Sequence, residues 1–119
     1  MRGFPLAAPG ANEDLDAIFV AWDVPALGVL AAIKKGARPL PMVTVDLGED
    51  VAEELGRGGP LKGIAAQRPY HQGMAAALAA LLSLIGRIPP VWISSTGLKV
   101  TKENLRQAID DICRFRSAL

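Results

Sequence analysis

Five side chains fall where a ligand could be held: Trp22, Asp23, Asp46, Gln67 and Arg68. Each follows a short apolar run. Trp22 and Asp23 come after Ala17-Ile18-Phe19-Val20-Ala21, Asp46 after Met42-Val43-Thr44-Val45, and Gln67 and Arg68 after Gly63-Ile64-Ala65-Ala66. If those runs are parallel strands, all five lie on one rim, outside the carboxyl ends of the sheet, where open α/β folds bind ligands. An indole, two carboxylates, an amide and a guanidinium suit a sugar. The ring covers an apolar C–H face, and the polar groups pair with hydroxyls. Every one of the five also has a plain structural reading. Asp23 would cap a helix, Trp22 would fill core, and Asp46, ahead of Leu47-Gly48, would shape a turn or cap the next helix. Gln67 would be a loop amide, and Arg68 a solvated or ion-paired side chain.

Other chemistries lack their residues. His71 is the single histidine and has no His or Cys at ligand spacing, so no metal is expected. Ser94-Ser95-Thr96 supplies hydroxyls without a G-x-S-x-G elbow. There is no G-x-G-x-x-G after a strand and no G-x-x-x-x-G-K-[ST]. Gly56-x-Gly58-Gly59 follows a helical stretch, which does not suit a phosphate cradle. No catalytic residue and no cofactor is expected. The lone Cys113 excludes an internal disulfide and reads as a small hydrophobe on the apolar side of the last helix. Thirteen basic residues against twelve acidic ones, scattered along the chain, leave no electrostatic footprint for nucleic acid. The stretch from Met1 to Gly10 is broken by Pro5 and Pro9 and does not read as a secretory signal.

The elements that must position the five residues alternate strand and helix. After the first run, Asp23 offers a helix start with Pro25 in the first turn. Ala26, Val29, Leu30 and Ile33 then mark one buried helical face, and Lys34, Lys35 and Gly36 its end. Glu49, Asp50, Glu53 and Glu54 open a second helix that Gly58-Gly59-Pro60 breaks. Pro69 opens a third, running to about Gly86. Pro89-Pro90 forces a turn, Val91-Trp92-Ile93 reads as a fourth strand, and Thr101 caps a last helix with Leu105, Ala108, Ile109 and Ile112 on its inner face. Strands that are apolar throughout predict a doubly wound parallel sheet, covered on both faces, in a Rossmann-like α/β fold.

Two features misfit a complete domain. The chain reaches a central-looking strand almost at once, with no helix before it. And from Met74 to Ile85 only Ser83 is polar, so that helix is apolar all round and needs partners on more than one side. It is too short to span a membrane, which takes about 20 residues. The expectation is a helix that packs on structure outside this chain, and a chain that self-associates when alone.

Four motifs in order, Asp16 to Asp23, Ala26-Leu27-Gly28, Val43-Thr44-Val45-Asp46 and Ile64 to Gly73, together resemble the type I periplasmic sugar-binding proteins, to which the effector domains of lactose-repressor-type regulators are related. The similarity runs from Leu15 to about Leu105. Such proteins have two α/β lobes with the sugar between them. The resemblance implies one partial domain over 1–119, with a second-lobe βαβαβ unit over 15–68. It assigns 69–88 to a helix that packs on a first lobe not in this chain, and 89–119 to a return strand and final helix. It implies hydroxyl contacts from Asp46 and Gln67. Trp22 stands where the family has a polar residue, and His71 where it has an acidic one. The implied function is sugar binding within the solute receptor of an ABC transporter, outside the cytoplasm, with a membrane permease as partner. A sugar-sensing lobe of a transcription regulator and a small flavodoxin-like enzyme are the alternatives.

Overall fold

In the computed structural model, residues 14–36 and 39–113 are described. The Met1 to Gly10 stretch lies outside them, as does the side chain of Cys113. Four strands and four helices alternate: β1 Ile18–Val20, α1 Asp23–Lys35, β2 Met42–Val45, α2 Glu49–Arg57, β3 Leu61–Ala66, α3 Pro69–Leu84, β4 Leu98–Val100 and α4 Leu105–Cys113. The strands form one sheet in the order β1-β2-β3-β4. The first three are parallel and the last is antiparallel to β3. The fold is α/β with a mostly parallel sheet of the Rossmann-like kind.

Helices α1, α2 and α4 pack together on one side of this sheet. Ala26, Val29, Leu30 and Ile33 of α1 are buried, as their spacing predicts, and meet Met42, Leu61, Ile64, Ala66 and Val100 from the strands and Val51 and Leu55 from α2. Each of the larger side chains contributes about 2 kcal/mol through burial. Among the described residues Thr44 is the buried polar exception. Its hydroxyl donates to the Val20 carbonyl at 3.0 Å, tying β2 to β1. Gly58 ends α2 in the left-handed conformation, φ 78°, with its N–H on the Leu55 carbonyl at 3.1 Å. That φ is what a glycine supplies at a helix end.

The structure corrects four expectations. The opposite face of the sheet is open among the described residues, with Phe19 and Val43 exposed, because inward and outward residues alternate along β1 and β2. Val91-Trp92-Ile93 is not a strand; Trp92 is 83% exposed, and the place beside β3 belongs to Leu98–Val100. Leu98-Lys99-Val100 alternates in and out as a sheet covered on one face requires, and 91–93 does not. Helix α1 starts at Asp23, so the N-cap position falls on Trp22 rather than on the aspartate. Helix α4 starts at Leu105, after Thr101. The Asn104 side chain accepts the Thr101 N–H at 2.7 Å and donates to the Lys99 carbonyl at 2.8 Å, which fastens the turn leading into the helix.

Helix α3 stands apart. None of its residues is buried, and Met74, Leu78, Leu81 and Leu84 are each more than half exposed. Its less exposed positions, Ala75, Ala79 and Leu82, are spaced to share one side of the helix. Ala75 borders a hollow of about 320 Å³ with the returning segment at Pro90, Val91 and Ile93. No helix among the described residues is long and apolar enough to cross a membrane.

Candidate functional site

Asp46 leaves β2 with φ 69°, the left-handed conformation that few residues without glycine's freedom adopt. Its N–H still reaches the Ala65 carbonyl at 3.1 Å, so the strand pairing runs to the last residue before the chain turns. Strained backbone of this kind persists where the surroundings hold it, and concentrates at binding sites. One residue past the end of β3, Gln67 donates from Nε2 to Asp46 Oδ1 in a short hydrogen bond. Gln72, in the first turn of α3, donates in turn to Gln67 Oε1 at 3.2 Å.

Asp46 and Gln67 border a cleft of about 310 Å³ at the carboxyl ends of β1, β2 and β3, with Asp23, Leu47, Gly48, Pro69 and Ile112. Its volume lies at the small end of the range for ligand pockets, about 300–1,000 Å³. Asp23 enters from the start of α1. Its Oδ1 accepts the Val24 N–H at 2.8 Å, while Oδ2 lies so close to Gly48 that a β-carbon there would overlap it. The absence of a side chain at Gly48 therefore lets the first helix and the second meet at the site.

Of the five residues singled out from the sequence, the structure brings Asp23, Asp46 and Gln67 together on the cleft and leaves two off it. Trp22 is 53% exposed at the head of α1, neither core nor a wall of the cleft. Arg68 directs its guanidinium to His71 Nε2 at 3.3 Å and does not line the cleft. Gly48, Pro69, Ile112 and Gln72 escape sequence reasoning. Gly48 carried a signal, since a glycine two residues beyond a rim aspartate permits close approach. Ile112 carried none, because its place on the cleft depends on how α4 returns across the fold.

Among the described residues no group of three or more His, Cys, Asp or Glu side chains is placed to hold a metal ion. Two larger hollows are apolar in character. One, of about 660 Å³, is the groove between α2 and α4, and the other, of about 460 Å³, lies over the open face of the sheet. The charged residues in the first are occupied: Arg57 pairs with Glu53 at 2.7 Å and with Glu54 at 2.6 Å. Neither offers the concentration of hydrogen-bonding groups found at the strand ends. No protein-family model matches the chain, and no curated protein matches it either.

Proposed function

We propose that this chain is a carbohydrate-binding lobe, one half of a two-lobed receptor of the periplasmic sugar-binding type. The observation that carries the reading is the Asp46–Gln67 pair, held at the carboxyl ends of adjacent strands by a left-handed aspartate. Asp46 retains acceptor capacity on Oδ2, and Gln67 retains one N–H. Together they complement a hydroxyl pair, in which each oxygen both donates and accepts. Among the described residues the lining carries two carboxylates and no cation, which favours neutral sugars over phosphorylated or acidic ones.

A cleft this open encloses little of a ligand, so tight binding calls for a second surface closing over it. The exposed apolar side of α3 supplies a natural place for that second lobe to dock. On this reading the assembled receptor serves a membrane permease outside the cytoplasm.

The test is a titration of the 119-residue chain with glucose, galactose, ribose and xylose at millimolar concentration, followed by amide NMR. Shifts clustered on Asp46, Gln67 and Gly48 are the expected result. Asp46→Ala should abolish them, and Gln67→Ala should weaken the response about tenfold, the loss of one or two hydrogen bonds to a charged or fixed partner. Saturable shifts confined to the groove between α2 and α4, or no shifts with any sugar, would overturn the reading.

A further inference from the structure

Gln67 can serve a hydroxyl pair only if its amide is the right way round, and a primary amide has two nearly isosteric orientations. Asp46 prefers the nitrogen, because an ionised carboxylate only accepts. A second constraint comes from the other end. Gln72 presents its own Nε2 to Gln67 Oε1 at 3.2 Å. The result is a directional relay in which Gln72 donates to Gln67, Gln67 donates to Asp46, and the carboxylate accepts at its end. The backbone supports the relay as well. The Gln72 N–H bonds the Arg68 carbonyl at 3.0 Å, so Gln72 lies within the first turn of α3, directly after the Arg68-Pro69 step that follows Gln67.

We propose that Gln72 is a positioning residue for this site. It does not border the cleft. It acts through Gln67, fixing the amide so that the free N–H and the free Asp46 oxygen face the ligand side by side. The proposal rests on the sugar-binding reading for its purpose, but the orientation it claims is a property of the unliganded chain.

Two substitutions separate the relay from general stability. Gln72→Glu replaces a donor with a group that only accepts. It sets a carboxylate against Gln67 Oε1, so Asp46 and residue 72 compete for the one amide nitrogen and the orientation that serves Asp46 is no longer favoured from both ends. Gln72→Leu removes the donor and adds no charge, leaving Asp46 alone to hold the amide. The readout is the set of nuclear Overhauser contacts from the Gln67 side-chain NH₂ to Asp46 and to residue 72, recorded on the full chain without ligand. The same samples are then titrated with the four aldoses. Gln72→Glu should weaken the Gln67–Asp46 contact and weaken aldose binding about fivefold to tenfold. Gln72→Leu should give an intermediate loss, with backbone amide shifts elsewhere in the sheet unchanged in both variants. A Gln67–Asp46 contact that survives intact in both would overturn the positioning role. If the unsubstituted chain binds no aldose, the sugar reading falls, and the contacts still decide whether Gln72 orients Gln67.

Discussion

At the scale of single residues, the site depends on close approach as much as on polar groups. Gly48 and Asp23 belong to different elements and touch only because one of them has no side chain. Gly48→Ala should therefore push the Asp23 carboxylate out of its place. Its backbone φ of −79° is open to alanine, so the cost is steric and not conformational. We expect a loss of about 1 kcal/mol in urea unfolding. In a chain that already carries Asp23→Ala, the same glycine change should cost close to nothing, since the overlapping oxygen is gone. Equal costs in the two backgrounds would show that the contact carries no energy. Three of the five rim residues could be read from their position after an apolar run, because a strand end is a local event. Whether a side chain then turns into the cleft was not legible. Arg68 is drawn off by His71 three residues later, and Trp22 is left outward at the head of its helix.

Between elements, the clearest polar link runs from the end of α1 to α2. Lys34 Nζ meets Glu54 Oε2 at 2.5 Å, and Arg57 meets the other oxygen of the same carboxylate. The Glu54 side chain is only 13% exposed, whereas Lys34 is about half exposed. The hydrogen bond from Lys34 is the main influence holding the Glu54 carboxyl below its ordinary range. Partial burial opposes it, and Arg57 adds to it. A carboxylate with a depressed folded-state value stabilises the fold above its unfolded value and loses that contribution as pH falls through the folded one. Glu54→Gln should thus cost about 0.5–1 kcal/mol at neutral pH, discounted for the exposed cations. The difference from the parent chain should shrink below about pH 4, as followed by urea unfolding across a pH series. A difference that stays constant to pH 3 would mean the pair contributes nothing as a pair. Element types were largely legible because α1 and α4 show their helical spacing in the sequence. The fourth strand was not. Its three-residue alternation, Leu98-Lys99-Val100, is a weaker signal than the continuous apolar run at 91–93, and only the half-covered sheet makes alternation the better fit.

For the molecule as a whole, the exposed apolar surface on α3 is the dominant fact. Met74, Leu78, Leu81 and Leu84 present a stripe along a 16-residue helix that contributes nothing to the core. The chain in isolation should therefore form dimers or larger species whose population rises with concentration, as measured by light scattering over a dilution series. Leu78→Glu together with Leu81→Glu should shift it to monomer without lowering the unfolding midpoint, because neither side chain is buried. A parent chain that remains monomeric throughout would refute the expectation. That the helix would lack partners was legible from its composition, since only one residue between Met74 and Ile85 is polar. The openness of the second sheet face was not, because a three- or four-residue apolar run looks alike whether one face is covered or two.

Strands β3 and β4 are neighbours, with Ala66 directly opposite Leu98, although the whole of α3 intervenes between them. The chain thus departs from the sheet and returns to the same spot, and everything between is an excursion with its two ends already joined. Its closure is secured by a strand pair, so the excursion can open and re-form without disturbing the sheet. In exchange terms the core and α3 should protect their amides on different scales, because no α3 residue is buried. Gln67 and Gln72 stand at the hinge between the two, where the ordering of the excursion and the orientation of the Gln67 amide become one event.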